Sequence, residues 1–94
     1  MEETISHQAM RDELLLWLSG AMSDDTELNG LCDFLHDDFP YDGEHVVGSV
    51  LRDDELQPWQ RLMAAIEPVS TPVREEQIGP VRERAAVLLT AMRS

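Results

Sequence analysis

The stretch "LNGLCDFLH", Leu28 to His36, decides the fold class of this 94-residue chain. Its apolar residues belong to a stripe with the three- and four-residue spacing of one face of an α-helix: Leu28, Leu31, Cys32, Leu35 and Phe39. Phe34 lies off the stripe, and Gly30 costs a helix about 1 kcal/mol relative to alanine. A strand over residues 28–36 therefore stays open as an alternative, because short apolar runs fit both patterns.

The N-terminal segment predicts a helix from Thr4 to Ser19, with Gly20 as its natural end. Helical spacing relates the apolar residues Met10, Leu14, Trp17, Leu18 and Ala21. Leu15 and Leu16 widen the apolar face, which predicts a central helix contacted on more than one side.

The segment 53–69 predicts another helix, capped by Asp53 or Asp54. Its stripe consists of Leu56, Trp59, Leu62 or Met63, and Ile66. We expect Pro58 in or next to the first turn, where a missing amide proton matters least, and Pro68 at the end.

The last quarter of the chain predicts two helical pieces. A short one follows Pro72, has Glu75 and Glu76 near its positive end, and stops at Gly79. Pro80 then begins the final helix, whose stripe consists of Val81, Ala85, Leu88 and Met92.

Together these patterns predict an all-α fold, a compact bundle of four to five short helices in a single domain over residues 1–94. Residues 46–51 fit a short helix and, through their β-branched side chains, a strand nearly as well. The alternative is therefore an α+β fold with a small hairpin formed by residues 28–36 and 46–51.

Charge is the most informative bulk property. Nineteen acidic residues face seven arginines and no lysine, which gives a net charge of −12. Between Asp24 and Glu55 lie eleven acidic residues and one arginine, a net charge of −10. Such a surface repels free nucleic acid and anionic membranes, and it attracts a basic protein. The simpler alternative is that the acidity only keeps the protein in solution.

The densest part of this acidic segment is "HDDFPYDGEH", residues 36–45. Pro40, Asp42 and Gly43 predict a turn at the surface. We interpret the loop as the rim of a partner-binding surface in which Tyr41 is the aromatic anchor. The acidic residues of this surface are Asp37, Asp38, Asp42, Glu44, Asp53 and Asp54.

The same loop raises the alternative of a small metal-dependent regulatory domain centred on His36 and His45. The spacing of its histidines and carboxylates matches neither a zinc finger nor a calcium loop. We therefore predict no metal and no other cofactor.

The sequence carries no recognised catalytic signature. It has no nucleophile-elbow glycines and no phosphate-binding glycine loop, so we expect a non-enzymatic protein. The single cysteine, Cys32, lies on an apolar stripe, which indicates a core residue rather than a nucleophile. A lone cysteine without a disulfide partner also indicates the cytoplasm.

The segments "CDFLHDDF", "VVGSVLRDDEL" and "LMAAIEPV" resemble an uncharacterised family of small acidic bacterial proteins. The resemblance spans about residues 27–69 and implies no activity. In size, acidity and helical content the chain is also similar to the nuclease-colicin immunity proteins, although it lacks their tyrosine pair. That similarity is one of bulk properties only.

These observations predict a protein-binding inhibitor whose acidic face binds a basic partner, in the form of a toxin-neutralising immunity protein. An alternative is a nucleic-acid mimic, whose carboxylates imitate phosphates on a DNA- or RNA-binding enzyme. A mimic requires paired rows of exposed carboxylates, whereas an immunity protein requires one compact patch with an aromatic anchor.

Overall fold

The computed structural model of the chain describes residues 7–38, 50–70 and 72–93, and over these ranges the fold is all-α. It contains four α-helices there: α1 (His7–Ala21), α2 (Asp25–Asp33), α3 (Asp53–Ile66) and α4 (Glu75–Arg93). The end of α2 continues as a π-helical turn, Phe34–Asp38. None of the described residues forms a strand, so the predicted all-α class is confirmed.

The helices form two hairpins, α1 with α2 and α3 with α4, and α4 also packs against α1. Arg52, just before α3, reaches Ala91 near the end of α4, so these two helices are antiparallel. Arg82 of α4 contacts the end of α1 at Ala21, and Arg11 of α1 contacts the end of α4. Helix α4 is therefore the central element, antiparallel to both α1 and α3.

The segment 28–36 is helical, and its strand alternative is wrong. The carboxylate of Asp24 accepts the backbone N–H groups of Thr26 and Glu27, at 2.8 and 3.4 Å, and so caps α2. Residues 46–49, most of the other half of the alternative hairpin, lie outside the described residues. Val50 and Leu51, which follow them, are buried.

The prediction that Phe34 lies off the core stripe is wrong, since only 4% of this residue is exposed. A π-helical turn holds more residues than an α-helical one, which shifts the following side chains around the axis. Phe34 and Leu35 therefore both face the core. The Phe34 ring stacks on Trp17 of α1, with centroids 6.2 Å apart and an interplanar angle of 28°.

Gly30 is required where it lies, for a reason that its cost in helix propensity does not indicate. A Cβ atom built on Gly30 would overlap the Trp17 ring and lie 2.8 Å from its Cη2. The absence of a side chain lets the indole lie directly on the backbone of α2. The loss in helix propensity is offset by this close packing of α1 on α2.

Helix α1 contacts both α2 and α4, as its widened apolar face predicts, but the prediction is wrong for Leu16. Leu14 and Leu18 are fully buried, whereas Leu16 is 73% exposed. Leu15 is half-buried against the core. The helix also continues one residue beyond Gly20, to Ala21, while its predicted first residues, 4–6, lie outside the described part of the chain.

Two prolines lie deeper inside helices than predicted. Pro58 and Pro80 are each the sixth residue of their helix. Helix α4 is therefore one helix through Gly79 and Pro80 rather than two pieces, and Pro58 lies in the second turn of α3. Each proline deprives one carbonyl, four residues earlier, of its N–H partner. The residues concerned, Asp54 and Glu76, are exposed, and water can satisfy their carbonyls.

The core lies between the helices and is almost entirely aliphatic. The largest fully buried side chains include Leu14, Leu18, Leu28, Leu31, Leu62, Ile66, Leu88 and Val81. Trp17 and Trp59, both predicted in the core, are half-buried and pack against it. One charged residue, Glu55, is fully buried among them in the described ranges.

Candidate functional site

The structure brings together Asp53 and Asp54 of the predicted partner-binding surface. Both side chains are exposed in the first turn of α3. Asp37 and Asp38 end the π-helical turn, where the structure describes their backbone but not their side chains. Three further members of the predicted surface lie outside the described residues: Tyr41, Asp42 and Glu44. His45 also lies outside them.

The described acidic pairs lie at opposite ends of α3. His36 donates a hydrogen bond from Nε2 to the carbonyl of Ile66, the last residue of α3, at 3.0 Å. The turn that ends in Asp37 and Asp38 is thereby placed at the C-terminal end of α3, while Asp53 and Asp54 are at its N-terminal end. Fourteen helical residues span about 20 Å. A partner that contacts both pairs must therefore cover the full length of α3. An interface of standard size is large enough to do so.

Glu55, the last acid of the acidic segment, contributes no charge to the surface. Its carboxylate is fully buried and accepts two hydrogen bonds from Arg11, Nη1 to Oε1 at 2.8 Å and Nη2 to Oε2 at 2.7 Å. Arg52 adds its backbone N–H to Oε1 at 2.8 Å and its Nη2 to Oε2 at 2.9 Å. The negative charge is thus neutralised inside the bundle.

This pairing changes the titration of both partners. Burial alone would raise the pKa of Glu55, but hydrogen bonds from Arg11 and the Arg52 backbone, and both positive charges, lower it to about 2. The hydrogen bond to Glu55 raises the pKa of Arg11 above its usual value. Since Glu55 remains ionised and fully ligated, it cannot act as a general acid near neutral pH. The cluster is a structural ion-pair network.

Donors from neighbouring elements satisfy the C-terminal carbonyls of three helices. Arg11 contacts the carbonyls of Met92, in the last turn of α4, and of Val50, at 3.4 and 2.9 Å. Arg82 donates from Nε to the carbonyl of Ala21 at the end of α1, at 2.8 Å, and pairs with Asp25. The bond from His36 to Ile66 does the same for α3. Positive groups at helix C-termini also complement the helix dipole.

Arg11, whose side chain is 17% exposed, is thus turned inward onto Glu55, whereas acidic side chains near it stay exposed. The exposed carboxylates of Asp12, Asp53 and Asp54 lie at the end of the bundle where α1 and α3 begin; we call these three residues the acidic end. Asp12 and Asp54 are close enough for their charges to act on Arg11. Arg52 lies 3.8 Å from Asp54, too far for a strong pair at so exposed a position.

Cys32 is fully buried, as predicted from its place on the stripe. Burial, with a smaller contribution from the charge of Asp33, raises the pKa of its thiol to about 11. The described residues include no group of three or more metal-ligating side chains that could hold an ion. His45, one of the two histidines of the suggested metal-dependent domain, lies outside the described residues.

A second surface feature, the α3–α4 groove, was not found by sequence reasoning. It is a shallow groove of about 250 Å³ lined by Pro58, Arg61, Glu83, Arg84 and Val87. Within the described residues, neither Arg61 nor Arg84 has an ion pair or a hydrogen bond. Both lie on the polar faces of their helices, and no spacing in the sequence indicates that they converge.

Comparison with family models, with curated proteins and with solved structures found no match to this chain. The resemblances noted from the sequence therefore stay expectations. None of the described helices has the length and apolar character needed to cross a membrane.

Proposed function

We propose that this protein is a small acidic protein-binding inhibitor that acts without catalysis on a basic partner. The observation that carries the proposal is the group of exposed carboxylates at the acidic end, beside an Arg11 that is turned inward onto Glu55. Arg11, Arg52 and Arg82 are engaged in holding helix ends, while Asp12, Asp53 and Asp54 remain on the surface. An ion pair removes one charge of each sign, so the net charge of −12 falls on residues outside these pairs.

A fixed acidic surface of this kind favours fast association with a basic protein, since complementary charges steer the encounter. The helix dipole accounts for part of the acidity, because Asp53 and Asp54 also stabilise the first turn of α3. It does not account for Asp12, which follows the first turn of α1. A toxin-neutralising immunity protein in the cytoplasm is the specific form that we propose, since it needs only a stable scaffold with such a surface.

The test is affinity capture from lysate of the native host with the immobilised protein, followed by identification of the bound partner and binding kinetics. We expect a partner of basic isoelectric point whose association slows as salt concentration rises. The variant Asp53→Asn/Asp54→Asn should reduce the association rate several-fold and flatten its salt dependence.

The matched control is Glu75→Gln/Glu76→Gln, which removes two exposed acids from the equivalent first turn of α4. This control should associate at nearly the wild-type rate, because these residues lie at the other end of the bundle. Equal effects of the two double variants would show that only net charge matters. A partner that is not basic would overturn the proposal.

A further inference from the structure

The arginines fall into two groups, those that have a partner inside the chain and those that have none among the described residues. Five of the seven have a partner inside the chain: Arg11, Arg52, Arg74, Arg82 and Arg93. The other two, Arg61 and Arg84, come from different helices and line the same α3–α4 groove. Nineteen acidic residues are available in this chain, yet within the described part none neutralises this pair.

Two of the five residues that line the groove are apolar. Val87 is 52% exposed, one of the two large hydrophobic side chains that the described residues leave in solvent, and Pro58 lies beside it half-buried. Two guanidinium groups next to an aliphatic surface suit a ligand that carries one anionic group and one apolar group close together. Guanidinium groups match a carboxylate especially well, because their N–H donors can bind both of its oxygens.

The negative charge around the groove limits which anions can bind there. Glu83 lines the same groove, and the chain as a whole carries −12. A polyanion such as nucleic acid or an anionic membrane is therefore repelled at long range. A ligand with a single negative charge meets little of this repulsion and can still pair with both arginines at short range.

We propose that the α3–α4 groove binds the C-terminal carboxylate of a protein partner whose last side chain is apolar. Arg61 and Arg84 bind the carboxylate, and Val87 and Pro58 contact the side chain. A chain terminus is favoured over an internal aspartate or glutamate because it places charge and apolar group on one residue. The site is separate from the acidic end and does not depend on the function proposed for it.

The experiment is a titration followed through the Nε–H signals of the arginines in ¹H–¹⁵N correlation spectra at constant ionic strength. The probe is N-acetyl-leucine, a minimal mimic of an apolar chain terminus. We expect saturable shifts of the Arg61 and Arg84 signals. The exposed Arg74, which lies 3.7 Å from Glu76, is the internal reference and should not shift.

Three further probes separate the contributions. N-acetyl-leucinamide lacks the charge and should bind about tenfold more weakly or not at all. N-acetyl-glycine lacks the apolar side chain and should bind several-fold more weakly. Inorganic phosphate should also bind more weakly than N-acetyl-leucine. Tighter binding of phosphate, or equal shifts for all arginines, would overturn the proposal.

Variants then locate the site. Arg61→Gln and Arg84→Gln should each weaken N-acetyl-leucine binding about tenfold, while Arg74→Gln should leave it unchanged. All three side chains are exposed, so the unfolding curves should coincide with that of the wild type. Undiminished binding by both groove variants would also overturn the proposal. None of these substitutions alters the acidic end, so the result is independent of the function proposed there.

Discussion

Arg11 and Glu55, 44 positions apart in the chain, form a two-pronged ion pair with N–O distances of 2.8 and 2.7 Å. The carboxylate is completely buried, and the side chain of Arg11 is 17% exposed. This pair joins the start of α1 to the start of α3, and through the Met92 carbonyl it also reaches α4.

Loss of the charge on Glu55 should therefore destabilise the fold strongly. Breaking a buried ion pair by removing one partner costs about 3–5 kcal/mol, because the other charge is left without compensation. We expect a loss in the free energy of unfolding near the lower end of this range for Glu55→Gln, since Arg11 and Arg52 still have carbonyl partners. Urea unfolding at pH 7 measures it. The control Asp53→Asn, in the same turn but exposed, should lose no more than about 1 kcal/mol.

The stability of the protein should fall in acid over a defined range. The pKa of Glu55 is about 2 in the folded state, below the ordinary value of 4.5 that it regains on unfolding. Its contribution is therefore complete above about pH 5 and is lost as the pH falls toward 2. Urea unfolding at intervals from pH 7 to pH 2 should show this loss. Glu55→Gln should have a shallower dependence on pH, and parallel profiles would contradict the assignment.

The glycines of α2 and α4 should differ in how strongly they resist replacement by alanine. Gly30→Ala places a methyl group against the Trp17 ring and should destabilise the protein by about 1–3 kcal/mol, despite the better helix propensity of alanine. At Gly79, inside α4, an added Cβ atom would meet nothing within 4 Å apart from its chain neighbours and the helix backbone. Crowding of this Cβ by the ring of Pro80 offsets the gain in helix propensity, so Gly79→Ala should change the stability by no more than about 1 kcal/mol. Thermal unfolding of both variants measures the difference. A Gly30→Ala variant as stable as the wild type would contradict the packing of Trp17 on α2.

Cys32 should be inert toward thiol reagents in the native state. With a pKa of about 11, only about one thiol in a thousand is ionised at pH 8 even where reagent can reach it. Burial adds a steric barrier, so labelling should require opening of the core. Ellman's reagent with and without urea measures both rates. Rapid stoichiometric labelling without urea would place the thiol at the surface.

The sequence predicted the helical class correctly because its apolar stripes have a helical period in every long segment. It misplaced Phe34 because the period changes at the π-helical turn, and nothing in "CDFLH" marks that change. It ended a helix at Gly79 because glycine followed by proline is a typical terminator. In the structure the first turn is already hydrogen-bonded before that point, from the Arg74 carbonyl to the N–H groups of Gln77 and Ile78.

The ion-pair network was only partly accessible to sequence reasoning. Glu55 has helical spacing with Leu62 and Ile66, so a charge at a core position could have been noticed. The partner of Glu55 could not be predicted, since Arg11 belongs to another helix and the pairing depends on how the two hairpins dock. The same limit applies to Arg61 and Arg84, which converge only after α3 and α4 have packed.

The reciprocal arginine hydrogen bonds between α1 and α4 also affect when the protein becomes stable during its synthesis. Arg11 of α1 binds a carbonyl in the last turn of α4, and Arg82 of α4 binds the last carbonyl of α1. These two carbonyls gain their arginine donors only when both helices are in place. As a ribosome makes α1 before α4, the Ala21 carbonyl at the end of α1 gains its bond from Arg82 only late in the synthesis of these residues. Folding is thus expected to be completed in one late step rather than hairpin by hairpin.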